Sequence, residues 1–320
     1  RQIRQDNEKQ DADTLLFFAG DLLQGTPLST AFKGEAEIAA MNLLAPNAAV
    51  IGNHDFDYGK DNLLALKRAA KFPFLGANVY NEKTDKLILD PTKRIKTKHG
   101  IKVGVIGVTT DETPTTTHPS NVKDLRFVMP SLAIRRHLPE VQKSSDLLIV
   151  VSHAGIKDDK VLAKDFPQLN IILGGHTHTK LDEPLHIGKT LIFQAGDRGL
   201  YLGRMDLEIE GKEVRLISAK LIPIRDYLPE DPEMKAKMEL FVKRLDVEVA
   251  KPIGRTNVLL NGERSAIRTG ETNLGNFITD LMRLRSESQI AFINSGAIRA
   301  SIQPGTITLG AVMNALDADP

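Results

Sequence analysis

Short apolar runs, each breaking off at small or polar residues, punctuate the first two-thirds of the chain: LLFFAGD (15–21), AAVIGNHD (48–55), IKVGVIGVTT (101–110), DLLIVVSHAG (146–155), NIILGGHTHT (170–179) and TLIFQAGD (190–197). Runs of this length without polar alternation predict strands buried on both faces. Between them, residues 34–44, 60–70, 130–143 and 158–165 predict helices. Strands alternating with helices give an α/β fold whose sheet faces are covered. From Gly199 to Ile222 the pattern changes to period-two alternation with Gly211 near its middle, which predicts an antiparallel hairpin.

Past the hairpin, Met234, Met238, Phe241, Leu245 and Val249 recur at helical spacing, and a connecting helix over 232–250, with the two methionines in its core, is expected. ETNLGNFITDLMRLR (271–285) predicts a helix with Leu274, Phe277, Ile278 and Leu281 on one face. SQIAFINSGAIRASI (288–302) reads as a strand and loop, and 306–315 as a strand entering a helix. The domain boundaries expected are 1–225, a linker helix over 226–252, and a second, smaller region over 253–320. Residues 1–13 are polar, with neither an initiator Met nor an apolar leader, so the sequence is expected to begin inside a longer one and to break off at Pro320.

Composition narrows the function. With 42 basic against 41 acidic residues the net charge is only +1, too little to build a polyanion-binding face, which argues against a nucleic-acid polymer as partner. No apolar run reaches the length of a membrane span. Cysteine is absent, which removes thiolate metal ligands and leaves the compartment open.

In α/β folds ligands collect at the carboxyl ends of strands, and there the chain sets Asp21, then Asn53, His54, Asp55 and Asp57, then His153, then His176 and His178. A lone loop histidine is ordinarily solvated. A set of them at successive strand exits, each beside small residues that let backbone approach, points to one shared site. Imidazole and carboxylate without thiolate suit Zn, Mn, Fe, Co or Ni better than a calcium cage. Two dications sharing a bridging carboxylate keep enough positive charge to attract a phosphoryl group. Asp55 reads as a solvated loop carboxylate, and KRIKTKHG (93–100) as a charged turn. His99, His118, His137 and His186 read as solvated residues without partners.

The ordered motifs GD (20–21), GNHDFD (52–57), SHAG (152–155) and GGHTH (174–178) resemble those of the calcineurin-like metallophosphoesterases. GDLLQGTP and GNHDFDYG, followed by ETNLGN and INSGAIRASI, are similar to the bacterial 5′-nucleotidase branch. The resemblance implies a four-layer-type sandwich of mixed β-sheets flanked by helices, then a linker helix and the first part of an α/β nucleotide-binding domain. It implies two divalent metal ions, Mn²⁺, Zn²⁺ or similar, with Asp21 bridging, Asn53, His153 and His176 completing the second site and His178 serving the first. His54 becomes the catalytic histidine, oriented by Asp57. Asn294 and Arg299 fall on substrate-holding positions, with Arg268 as a further candidate.

The Asp-x-His that this family carries ahead of the first aspartate has no counterpart in these residues, so the first metal site is expected to be incomplete here. The expected activity is hydrolysis of nucleoside 5′-monophosphates or related nucleotides in nucleotide catabolism, by an exported monomer. The alternatives are a 2′,3′-cyclic nucleotide phosphodiesterase/3′-nucleotidase, a sulfur-ester hydrolase on the same scaffold, and a non-catalytic nucleotide-binding relative.

Overall fold

The computed structural model describes residues 2–316. The long apolar runs assemble a six-stranded sheet in the order Leu185–Ile187, Thr190–Phe193, Ile171–Gly174, Leu147–His153, Lys102–Thr109, Thr92–Lys96. Its four inner strands are parallel and an antiparallel strand closes each edge. A second sheet sets Phe17–Phe18, Ala48–Val50 and Phe74–Leu75 in parallel.

Successive side chains on a strand point to opposite faces, and that period of two sorts the core into layers. Ile106, Val150 and Ile172 pack on one side with Ile134 and Leu138 of the helix Pro130–Lys143 and Leu162 of the helix Ile156–Asp165. Their neighbours Val105, Ile149 and Ile171 face the other way, onto Val50 and Leu75 of the second sheet. Ala49, Ile51 and Phe74 then turn outward onto Ile38, Met41, Leu63 and Leu66 of the helices Glu35–Leu44 and Lys60–Ala69. The order is helices, sheet, sheet, helices: a four-layered α/β sandwich. Inner strands meet apolar neighbours on both faces, which is why the sequence shows unbroken runs there; each such Leu, Ile or Val contributes roughly 1.5–3 kcal/mol by burial.

The hairpin pairs Tyr201–Glu210 with Glu213–Pro223 across Gly211, whose φ of 60° suits the tight turn. Its Met205, Leu207 and Leu216 pack against the cluster between the sheets. The segment 93–100 is only partly a turn: Thr92–Lys96 is an edge strand, and the chain reverses at Thr97–Gly100.

The described residues divide into two compact units, one of residues up to Gln24 and Glu37–Lys235, the other of Gly25–Ala36 and residues from Ala236 onward. The helix Pro232–Val249 buries Phe241, whereas Met234 and Met238 are only half-buried rather than core. In the second unit, Pro252–Thr256 pairs antiparallel with Gly305–Thr308. The helix Asn273–Arg285 is N-capped by Thr272, which accepts the Gly275 N–H at 3.1 Å. Leu274, Ile278, Ile298, Ile302 and Ala315 form a small core. The strand expected within 288–302 does not form. Asn294 accepts the Gly296 N–H at 3.1 Å and starts a 3₁₀ turn over Ser295–Ala297, so local side-chain capping wins over apolar propensity. Ile290 and Phe292 are left exposed.

Candidate metal centre

Parallel strands deliver their carboxyl ends to one side of a sheet, and the residues found there converge. His153 ends the strand Leu147–His153, and His176 follows the strand Ile171–Gly174. Asp21 lies beyond Phe17–Phe18 and Asn53 beyond Ala48–Val50. Asp21, His153 and His176 each offer a ligand atom, all within 4.8 Å of one another.

His153 is 2% exposed, and its Nδ1 lies 2.6 Å from the Ala19 carbonyl oxygen. That bond places a proton on Nδ1 and turns Nε2 toward the cluster, where it offers a lone pair once its own proton is off; burial opposes the charged ring, but Asp21 and the Ala19 carbonyl raise its pKa. Nε2 stands 2.9 Å from Asp21 Oδ2 but makes no well-aligned hydrogen bond. Asn53 Oδ1 is likewise buried without a hydrogen-bond partner, while its Nδ2 donates to Thr116 O at 3.4 Å. Orphaned buried acceptors of this kind, with imidazole, carboxylate and amide donors, fit a divalent transition cation.

The backbone bends to present them. Asp21, His176 and His178 take φ of 55°, 71° and 53°, a left-handed conformation uncommon outside glycine and frequent at functional sites. Gly52 has no room for a side chain, because a Cβ there would fall on the Asp21 carboxylate.

Burial opposes ionisation of Asp21, but His153, the His54 N–H at 2.9 Å and the His54 ring overcome it and leave the carboxyl below its ordinary range. Burial and the neighbouring His153 depress the His176 pKa, which keeps that imidazole neutral and able to ligate. His54 is different: Nδ1 lies 2.7 Å from Asp57 Oδ2, and this bond raises its pKa against the cost of burial. Asp57 is itself held by the Thr117 hydroxyl at 2.5 Å and, through its carbonyl, by Asn121 Nδ2 at 2.8 Å. The His54 side chain is 30% exposed, so it can meet a molecule arriving from solvent.

Asp55 overturns its reading as a solvated carboxylate. It is 1% exposed, takes the Gly52 N–H at 2.7 Å on one oxygen and those of Leu22 and Leu23 at 2.9 and 3.2 Å on the other. It staples the Asp21 loop to the Asn53 loop. Burial, with Asp21 nearby, pushes its pKa up to about 6. His178 stands on the His176 loop outside the three-residue cluster, its Nδ1 3.8 Å from Asp197 Oδ2.

In the second unit Arg268 reaches the Asn294–Gly296 turn: a Cβ on Gly296 would lie 3.5 Å from both Arg268 Nη2 and Asn294 Oδ1. The Arg299 N–H is bonded to the Ala315 carbonyl at 2.9 Å. Nor are all the remaining histidines partnerless. His99 meets Asp13 at 3.0 Å and Asp11 at 3.3 Å, His118 caps the Ser120 N–H at 3.3 Å, and His137 is half-buried.

Two buried residues behind the cluster escaped the sequence reading. Gln194, at the exit of Thr190–Phe193, bonds the His176 loop; Asp159, in the helix Ile156–Asp165, is fully buried with neither carboxylate oxygen well hydrogen-bonded. Gln194 follows its strand in TLIFQAGD just as Asn53 follows Ala48–Val50, so its position was a usable signal, whereas nothing in the sequence around Asp159 marks its burial within a helix.

A layered α/β sandwich thus presents imidazole, carboxylate and amide donors at its strand ends, with a His–Asp pair alongside. The chain belongs to the calcineurin-like phosphoesterase family, whose model matches residues 1–180, and the model of the 5′-nucleotidase C-terminal domain matches residues 252–319. Among curated proteins it is 32% identical to the trifunctional nucleotide phosphoesterase protein YfkN of Bacillus subtilis, over 94% of this chain and 24% of that protein. It is 30% identical to the 5′-nucleotidase of Vibrio cholerae, over 96% of this chain and 64% of that one. The crystal structure of the 5′-nucleotidase precursor from Thermus thermophilus superposes with a TM-score of 0.72 at 29% identity, covering 98% of this chain and 66% of that one. The chain thus spans between about a quarter and two-thirds of the length of these relatives.

Proposed function

We propose that this chain carries the catalytic centre of a hydrolase of nucleotide phosphate esters, foremost nucleoside 5′-monophosphates, which works with two divalent cations such as Mn²⁺ or Zn²⁺. The observation that carries the reading is the pair of orphaned buried acceptors, His153 Nε2 and Asn53 Oδ1, in a cluster with Asp21 and His176 and beside the His54–Asp57 pair. The names of the Vibrio and Thermus relatives support the substrate class. Asp21, Asn53, His153 and His176 hold one cation, and Asp21 and His178 contribute to the other.

When bound, the cations supply Lewis acidity toward the phosphoryl group. The chain's own part is then positional and acid–base. Asp57 fixes the ring of His54 and favours its protonated form, so that Nε2–H can steady a phosphoryl oxygen or protonate the leaving oxygen. Asn294, Arg299 and Arg268 bind the nucleotide, an arginine fork suiting carboxylate or phosphate. Among the described residues no helix is long and apolar enough to cross a membrane. The reading includes an exported monomer, export being supported by the Thermus relative's description as a precursor.

Phosphate release from nucleoside 5′-, 3′- and 2′,3′-cyclic phosphates and from a small aryl phosphate, with Mn²⁺ added and then chelated, tests the assignment. Chelator-sensitive release with 5′-monophosphates preferred is expected. Mn²⁺ binding without release from any nucleotide would leave a non-catalytic binding protein in its place.

A further inference from the structure

The loop carrying His176 and His178 alternates in what it touches. Gly175, Thr177 and Thr179 all bond to one side chain, Gln194, which is 2% exposed. Gln194 Nε2 donates to the Gly175 carbonyl, and Oε1 accepts the Thr179 N–H at 2.7 Å and the Thr177 hydroxyl at 3.2 Å. Thr177 Oγ1 in turn accepts the Ile156 N–H at 3.1 Å, which ties this loop to the turn after His153. The intervening residues, His176 and His178, are the two that take left-handed φ of 71° and 53°. Such a conformation is unfavourable for a side-chain-bearing residue and persists only where the surroundings over-determine it. Gln194 can do so because its strand, Thr190–Phe193, runs parallel to Ile171–Gly174 with Phe193 opposite Leu173, and brings the amide out beside the loop. A buried amide bonded at both ends is costly to displace.

We propose that Gln194 is a positioning residue of the metal centre: by fixing residues 175, 177 and 179 it turns His176 and His178 to the opposite side, where their imidazoles can ligate. The proposal rests on the metal-centre reading above. It predicts that removing the amide weakens metal binding without unfolding the protein, as loss of a residue that orients a ligand typically weakens affinity 10–100-fold.

The test is titration of the full chain with Co²⁺, followed by calorimetry and by the ligand-field absorption bands, for wild type, Gln194→Ala, Gln194→Glu and Thr177→Val. Circular dichroism and the melting temperature of the metal-free proteins serve as folding controls. Gln194→Ala should raise the Co²⁺ Kd about 10–100-fold and alter the bands. Ionised Gln194→Glu keeps the acceptor for Thr177 and Thr179 but cannot donate to Gly175, so it should bind with intermediate affinity and approach wild type, compared at equal pH, as the pH is lowered. A folded Gln194→Ala protein with wild-type Kd and bands overturns the proposal. If that variant does not fold, wild-type behaviour of both Gln194→Glu and Thr177→Val overturns it. Failure of the wild type itself to take up Co²⁺ refutes the metal-centre reading, and the proposal with it.

Discussion

At the level of single residues the proposed centre assigns some groups to hold a cation and others to move a proton, and His54 is the sharpest test of that division. It sits next in sequence to Asn53, yet its ring is turned to Asp57 at 2.7 Å and it is absent from the Asp21–His153–His176 cluster. His54→Ala is therefore expected to lower turnover by roughly 10²-fold or more while bound metal, measured by mass spectrometry, stays at the wild-type level. Loss of metal in that variant would make His54 a ligand. Asp21, Asn53, His153 and His176 were legible because strand exits are the places where an α/β sheet offers side chains to a ligand. Asp55 was not legible. Its neighbours in sequence are the same whether it faces water or backbone, and only the approach of the Leu22 and Leu23 amides, far off in the chain, makes it an internal staple.

Elements explain why the centre is built at close quarters. The strands Phe17–Phe18 and Ala48–Val50 are short, so the chain bends early and the Asp21 loop passes against Gly52. A methyl group there would have to displace the Asp21 carboxylate or the backbone beneath it. Gly52→Ala is thus expected to weaken Mn²⁺ binding at least tenfold, on the order of the loss seen when a ligand is misdirected. Wild-type Mn²⁺ affinity in a folded Gly52→Ala protein would mean that the loop yields without cost.

The buried strands and the helix Pro130–Lys143 were readable as apolar run and helical period, since both faces of the one and one face of the other meet the core. The stretch 288–302 misled for the opposite reason. Its apolar residues join no continuous ladder among the described residues: Ile298 and Ile302 make only single antiparallel bridges, to Leu316 and Leu260, and Asn294 and Gly296 set a turn before them.

For the whole molecule, the proposed division of labour between the two units can be tested by substrate size. Arg299→Ala should raise KM for a nucleoside monophosphate while leaving hydrolysis of a small aryl phosphate unchanged, because remote binding is lost and the reacting centre is not. Equal losses on both substrates would contradict it. Stability gives the last test, because the centre is backed by buried acids that resist ionisation. Asp159 is pushed up to about 7 by burial, which a poorly aligned Ser152 hydroxyl only partly offsets, and nearby Asp158 adds to the shift. Asp55 is raised in the same sense, to about 6.

A carboxyl whose folded pKa lies above its unfolded value binds more protons in the native state between the two, so stability falls as pH rises through that window. For Asp159 the window runs from its ordinary 3.8 to about 7. The ceiling on the loss is on the order of 4 kcal/mol at 1.36 kcal/mol per pKa unit. Asp159→Asn cannot ionise, and its amide can donate to Ser152. Measured by thermal melting from about pH 4 to about pH 8, the variant should gain on wild type steadily as pH rises. Its own curve should keep a shallower decline, because Asp55 still titrates. A constant offset between the two curves would show that Asp159 is already ionised in the native protein at low pH, and would place a cation or donor beside it.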